Sequence, residues 1–433
     1  MSHSDRRTFL KESVAGVATA AVAASASAAA NEKIVVGLIG CGGRGGHMAN
    51  VFRDITGVEI AYVCDPDAPR RAAAAERYNL AADRAVSDMR RVFDDKSVDA
   101  VIIAACNHWH GPATILACNA GKHVYVEKPC CHNLREGRLM VEAARRNNRL
   151  VQVGTQSRST TTTIQSVEQL HRGLIGTVLA AKAWNIQKRG SIGRGQPGDP
   201  PKTLDYDLWL GPAPHVPFQS NRVFGGWGWF YHTGLGDFGA DGIHDIDYAR
   251  WGLGVNTHPT FISGAGGIYR LDDEREFPDT QQVTFEYATD GPAENRRMLI
   301  YEQRLWTTNY PYNVDSGVEF YGTNGQMFLS RRGKVQVVDG QNKRVELKIE
   351  LRAQDERAHA ANFCEAVRGP GKLNADIEVA HLSTALCHLG NIATRVRRAL
   401  KFDPKTESIQ ADPEANELLT RRYREGHWAV PRA

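Results

Sequence analysis

Apolar and polar positions follow two different rhythms along this chain, and the change of rhythm divides it. Ile34 to Ile39 is a continuous apolar run of strand length, as expected for a strand buried on both faces of a parallel sheet. Val58 to Cys64 is a second such run. Between them, His47 to Phe52 opens a helix. The alternation continues with a helix over Ala72 to Tyr78, a strand over Asp99 to Ala104 and a helix over Pro112 to Ala120. A strand over Lys122 to Val126, a helix over Leu134 to Asn147 and a strand over Leu150 to Gly154 complete it. Strand and helix in strict turn predict a doubly wound parallel sheet.

After Arg172 the period shortens to two. Thr177 to Lys188 reads as a long strand, followed by a Gly- and Pro-rich loop from Arg189 to Pro201. The aromatic cluster Trp227 to Tyr231 precedes a helix predicted over Asp237 to Leu253. Strands are expected at Gln281 to Tyr287 and Met298 to Leu305, then a hairpin series from Val318 to Ile349 turning at Asn324-Gly325 and Asp339-Gly340. Helices return at Glu356 to Arg368, Ile377 to Leu400 and Pro413 to Glu425. The expected fold is α/β. An N-terminal Rossmann doubly wound parallel sheet is joined to a C-terminal α+β domain with a large open, mostly antiparallel sheet. The expected divisions are 1–30, ahead of the first strand; 31–155, the parallel-sheet domain; and 156–433, the second domain.

Composition changes this picture little. The 433 residues are 42% apolar and 24% charged, as in a globular protein, and exceed one ordinary core. A net charge of +4 without a basic run gives no argument for nucleic acid. The first thirty residues change more. Ser4 to Lys11 carries Arg6-Arg7 before Thr8-Phe9-Leu10 and resembles the twin-arginine export signal. A weakly apolar run and small residues fit for a signal peptidase, around Ala26 to Ala30, come next. The expectation is export of a folded protein to the periplasm by the twin-arginine machinery, with a retained anchor as the alternative. The eight cysteines show no metal spacing and are expected to be reduced core residues; no metal site is expected.

The chemistry begins where the first strand ends, at Gly40-Cys41-Gly42-Gly43-Arg44-Gly45. In a G-x-G-x-x-G turn, Gly40 permits the tight bend, Gly42 lets the backbone approach a pyrophosphate, and Gly45 lets helix and strand close up. The helix N-terminus behind it suits the phosphates. Asp65, at the end of the next strand, is placed to hold adenosine ribose hydroxyls and to repel a 2′-phosphate. That favours NAD, while Arg70 and Arg71 nearby keep NADP open. Polar strand ends follow at Asn107-His108-Trp109-His110, Glu127-Lys128-Pro129 and Thr155-Gln156-Ser157-Arg158.

With these segments and Gly239-Ala240-Asp241-Gly242-Ile243-His244-Asp245-Ile246-Asp247, the chain from Lys33 onward resembles the Gfo/Idh/MocA oxidoreductases. The resemblance implies a Rossmann domain, an open-sheet domain, NAD or NADP, and sugar or polyol substrates. It implies that Lys128 lies near the nicotinamide and the reacting hydroxyl. Gly40, Gly42, Gly43, Arg44, Gly45, Asp65, Asn107, His110, Glu127, Lys128 and Gln156 are the cofactor-binding candidates. His244 is the proposed general base, and Arg158, Trp229 and Tyr231 join Lys128 and His244 as substrate contacts. Many members carry an aspartate four residues before this histidine; here that position is Ala240, leaving Asp241 or Asp237 to orient the imidazole.

The activity expected is oxidation or reduction at a secondary hydroxyl or keto group of a sugar, polyol or glycoside, with a tightly held cofactor. Two alternatives stand beside it: a redox-neutral glycosidase that oxidises its substrate transiently, and a non-catalytic sugar- or nucleotide-sensing protein. A homo-oligomer through the C-terminal sheet is expected, because strands such as Gln281 to Tyr287 carry an apolar face that something must cover.

Overall fold

The computed structural model describes residues 33–288 and 291–432. The expected leader lies outside the described residues. Among those described, no helix is long and apolar enough to cross a membrane.

Six strands form the first sheet: β1 (Ile34–Ile39), β2 (Val58–Cys64), β3 (Ala85–Val86), β4 (Ala100–Ile103), β5 (His123–Val126) and β6 (Val151–Val153). They are all parallel, in the order β3-β2-β1-β4-β5-β6, so the order reverses beside β1. Ligands bind where such a sheet switches direction, outside the carboxyl ends of the strands. Residues of β1, β4 and β5 are buried on both faces, which is why they read as unbroken apolar runs. One face is covered in part by a helix from far along the chain. Helix Glu356–Arg368 places Phe363 against Phe52 and Tyr125, at ring separations of 5.9 and 6.2 Å.

The second sheet has ten strands: β7 (Val178–Ile186), β8 (Phe261–Gly267), β9 (Thr280–Tyr287), β10 (Arg297–Arg304), β11 (Ser316–Gly322), β12 (Gly325–Ser330), β13 (Lys334–Asp339), β14 (Arg344–Val345), β15 (Leu400–Asp403) and β16 (Ser408–Ile409). The order is β14-β13-β12-β11-β7-β10-β9-β8-β15-β16, antiparallel throughout except between β7 and β10. Val283, Phe285 and Tyr287 lie in the core shared with helix Ile377–Val396. The apolar face of β9 therefore has its cover inside the chain. The opposite face carries Lys182 paired to Glu302 at 2.8 Å, with exposed Leu179, Met298 and Trp306 around it.

Several elements depart from the sequence reading. Strand β8, Phe-Ile-Ser-Gly-Ala-Gly-Gly, was not expected, since three glycines erase its alternation. The helix from Ile377 stops at Val396, and Leu400 starts β15. The helix from Pro413 ends at Glu417, and 418–432 runs without regular structure back to the first domain. The helix expected from Pro112 begins at Asn107 and continues through the proline to Asn119. A proline at 112 cannot bond the carbonyl of His108. Arg421 replaces the missing donor, giving its Nη2 to His108 O at 2.7 Å. The returning tail thus repairs a defect in the first domain's helix.

Candidate active site

The turn after β1 has the geometry its glycines require. Gly40 has φ +94° and a Cβ there would lie 2.6 Å from Ala104 O; a Cβ on Gly45 would lie 1.8 Å from Gly40 O. Gly42 and Gly43 stand at the opening of helix Gly43–Arg53, which has no side-chain cap and no acid in its first turn. Its free N–H groups and positive dipole end face a cavity of about 490 Å³. The volume is in the range of sites that enclose small ligands and cofactors. Asp65 is buried at the cavity wall and accepts from Cys41 N at 2.8 Å and Asp67 N at 2.9 Å. Burial pushes its carboxyl up, opposed by these two backbone bonds.

The far walls come from elsewhere. Trp209 and Trp227 enter from the segment between β7 and β8, and Trp428 enters from the tail. Trp428 lies 5.7 Å from the Trp109 ring and carries the Arg90 guanidinium over its face at 4.3 Å. Trp209 and Trp227 thus line the cofactor cavity. Trp428 gave no signal, because nothing local ties a tail residue to a glycine loop.

At the other end, beyond Glu127, charged groups crowd together. Lys128 donates its Nζ to the carbonyl of Ala240. Burial pushes this ammonium down, with Glu127 and Asp241 opposing. His244, 5% exposed, begins helix Ile243–Leu253 immediately after a π-helical turn over Phe238–Gly242. The continuous helix expected from Asp237 is interrupted there, and such turns gather at functional sites. Burial, then Arg331 and Lys128, pushes the imidazole of His244 well below its usual range. Its Nδ1 has no hydrogen-bond partner among the described residues. A neutral, buried imidazole with a free nitrogen is equipped to take a proton.

Asp241 accepts from Arg331 at 2.8 Å, from Arg189 at 3.3 Å and from Gln187. Burial works to raise it, but Arg331 and Lys128 outweigh burial and hold it below the ordinary carboxylate range. Asp237 accepts from Asn185 at 2.6 Å and Arg189 at 3.0 Å, and burial raises it. Asp245, fully buried beside the Tyr248 hydroxyl at 2.8 Å, is pushed up to about 7 by burial. Arg331, Arg189 and Gln187 went unnoticed in the sequence. They sit at strand ends brought together only by the second sheet. With Arg332, Arg352 and Gln354, Arg331 lines an open cleft of about 610 Å³.

The remaining candidates fall into place unevenly. Arg44, expected to hold the dinucleotide, is engaged by Glu127 at 2.8 Å and Glu356 at 2.7 Å. Gln156 is fully buried, donating to Tyr125 Oη at 3.0 Å and accepting from Gln354 at 3.2 Å. Asn107 is buried in the first turn of its helix. His110 stands between the loops after β4 and β5, with Nδ1 2.7 Å from Pro129 O and Nε2 2.9 Å from Ala105 O; burial pushes it down, and the single N–H of the neutral ring donates to one of the two carbonyls. Three expected substrate contacts are turned elsewhere. Arg158 closes a buried pair with Asp247 at 2.7 and 2.9 Å. Trp229 lies under Arg275, at 4.5 Å. Tyr231 packs against Phe277 at 4.6 Å and lines a separate cavity. The guanidinium of Arg158 is satisfied by a buried carboxylate, while Trp229 and Tyr231 are half-buried and engaged by these neighbours.

Comparison with known proteins agrees with this geometry. A family model described as an oxidoreductase family, NAD-binding Rossmann fold, matches residues 34–155. A second, the C-terminal alpha/beta domain of the same family, matches 176–293 and 309–430. An inositol 2-dehydrogenase of Salmonella typhimurium is 33% identical over 33% of this chain, and the match spans 43% of that protein's length. Inositol 2-dehydrogenase 2 of Saccharopolyspora erythraea is 30% identical over 68% of this chain and 72% of its own. In fold, the chain is similar to an aldose-aldose oxidoreductase from Caulobacter crescentus complexed with glycerol, with TM-score 0.65 and 17% identity, covering 86% of this chain and 100% of that one. The two family models together span both sheets: the chain belongs to the Gfo/Idh/MocA oxidoreductase family, with an NAD-binding Rossmann domain at its N-terminal end.

Proposed function

We propose that this protein oxidises a secondary hydroxyl of a sugar, polyol or glycoside and keeps its NAD throughout the cycle. The observation that carries the reading is the convergence of a desolvated Lys128 and a neutral, unpartnered His244 beyond the cofactor cavity. The glycine turn, the uncapped helix and Asp65 would hold the dinucleotide; bound NAD would supply the hydride acceptor. His244 takes the hydroxyl proton. Lys128 exchanges the Ala240 carbonyl for the substrate oxygen and stabilises its developing negative charge. Asp241, itself held by Arg331, keeps the ammonium charged and in place. Relatives named inositol 2-dehydrogenase support a polyol or sugar as substrate.

The same proposal extends to place and partners. Arg6-Arg7 and the small residues after them support export to the periplasm in folded form. Free NAD is scarce outside the cytoplasm, so the hydride would return to a second sugar-like acceptor. The exposed apolar residues of the second sheet's outer face support self-association there. The test is a screen of purified protein against sugars and glycosides, reading the absorbance of bound reduced nicotinamide after gel filtration. One sugar should reduce the retained cofactor and a second should reoxidise it. A protein that loses NAD on dialysis and turns over only with stoichiometric added NAD refutes the closed cycle.

A further inference from the structure

Arg44 belongs to the glycine turn and lines the cofactor cavity, yet its guanidinium is already taken. Two of its nitrogens, Nε and Nη2, lie on Glu127 Oε1 at 2.8 Å each. The third, Nη1, lies on Glu356 Oε1 at 2.7 Å. Burial works to raise the Glu356 carboxyl, but the bonds from Arg44 and His47 outweigh it and hold this group below the ordinary range. The carboxylate is therefore charged and can only accept. His47, three residues after Arg44 on the same helix, donates its Nε2 to the second oxygen, Oε2. A negative group thus sits on a cation of the very turn that a dinucleotide's diphosphate needs.

The two carboxylates on Arg44 are not equal. The Glu127 side chain is 4% exposed and fixed in place. Its Oε2 accepts from Lys128 N at 3.3 Å and packs so close to Gly154 that a Cβ there would come within 2.9 Å of it. Parting Glu127 from Arg44 would leave a buried charge without its counter-ion. The Glu356 side chain is 25% exposed. It lines the open cleft together with Arg331, Arg332 and Arg352. It also keeps His47, and the positive end of its own helix, Glu356–Arg368, when Arg44 lets go. That helix is pinned to the first domain: Phe363 lies on Phe52 and Tyr125, and Arg357 Nη2 reaches Asp54 O at 3.3 Å. Release is therefore a movement of one side chain. The guanidinium itself can stay on Glu127, since Nη1 alone changes partner.

We propose that Glu356 is a built-in stand-in for the cofactor's diphosphate: it holds Arg44 Nη1 in the absence of NAD, yields that nitrogen to a diphosphate oxygen when NAD binds, and reclaims it as NAD leaves. The inference rests on the proposed placement of NAD along the glycine turn. Its consequence is a control on cofactor exchange. With no carboxylate returning, each departure of NAD strands Arg44 Nη1 without an acceptor. With Glu356 the lost contact is replaced at once, so departure is easier. Glu356 is a positioning residue, and it acts on the cofactor through Arg44.

The experiment mixes NAD-loaded protein with an excess of etheno-NAD, a fluorescent analogue, and reads the rate of exchange. Glu356→Gln removes the competing charge at nearly unchanged size and should slow exchange about threefold to tenfold, the worth of one charge-assisted contact. A merely structural tie between the two helices predicts the opposite sign, because a loosened wall releases NAD faster. His47→Ala, at an exposed position, cuts the same His47–Glu356 contact but leaves Glu356 to Arg44 alone; it should speed exchange about twofold to threefold. Arg44→Ala should speed exchange about tenfold or more, and adding Glu356→Gln to it should change the rate by less than about twofold. Exchange in Glu356→Gln at or above the wild-type rate overturns the proposal. So does the same sign for Glu356→Gln and His47→Ala, or an undiminished Glu356→Gln effect in the Arg44→Ala background. A protein that holds no NAD and takes up no etheno-NAD overturns the cofactor reading as well, whereas retained NAD with unchanged exchange in Glu356→Gln overturns this inference alone.

Discussion

The two ends of the cofactor path are built on opposite plans. At the adenosine end glycine backbone and indole, with Asp65, Asp88, Arg70 and Arg77 among them, wall an open space of about 490 Å³. At the catalytic end nearly every charge already has a partner: Arg44 with Glu127 and Glu356, Arg331 and Arg189 with Asp241, Lys128 with a carbonyl. The first end receives a ligand by filling. The second can act only by exchange, each new contact replacing an old one. A site of the second kind positions a substrate sharply, because a wrong one leaves buried charges unpaired.

The largest break in that contrast comes from removing the exchanging groups. Lys128→Ala and His244→Ala should each lower kcat by about a hundredfold or more while NAD content in the purified protein stays the same. The acid limb of the wild-type profile should lie below pH 6.5. His244 is depressed, so it stays neutral and basic through the pH at which an ordinary histidine protonates, and the rate falls only when acid finally protonates it. A midpoint at or above 6.5 would assign the limb to another group.

A smaller effect tests the receiving end. Calorimetry should show NAD binding at least about tenfold tighter than NADP, about 1.4 kcal/mol, and Asp65→Asn should narrow the gap. Equal affinities in the wild type would remove Asp65 from the ribose. Trp428→Ala sharpens the same point, since it strips an aromatic wall without touching the chemistry. NAD should dissociate about fivefold faster by stopped-flow fluorescence, the worth of one aromatic contact of about 1 kcal/mol, with kcat on retained cofactor unchanged. The smallest expected difference separates the two aspartates. Asp241→Asn should slow turnover several-fold more than Asp237→Asn, because only Asp241 bears on Lys128 directly. The reverse order would place the positioning carboxylate at Asp237.

The same contrast explains what could be read from the sequence. The receiving end depends on local rules. A strand, a glycine turn and an acid at the next strand's end are contiguous signals, so Gly40, Gly45 and Asp65 lie where the spacing puts them. So do Lys128 and His244, each marked by a short motif. The exchanging end depends on which distant residues meet. Arg331 follows β12 and Arg189 follows β7, and neither has a local signature. Arg158 misled because a polar residue after a strand reads the same whether it faces solvent, substrate or a buried aspartate. β8 and the tail were hidden for a related reason: glycines remove periodicity, and an irregular strap has none to show.

The cavity around the glycine turn has its floor near residue 40 and one wall at Trp428, with nearly the whole chain between them. No isolated piece of this protein contains that pocket. Ligand binding is therefore thermodynamically linked to the folding of both sheets at once, and NAD should raise the melting of the entire molecule in a single cooperative step. Trimming the tail would do more than loosen one wall. It would also remove the Arg421 donor from the helix that begins at Asn107, and so weaken the coupling between the two units.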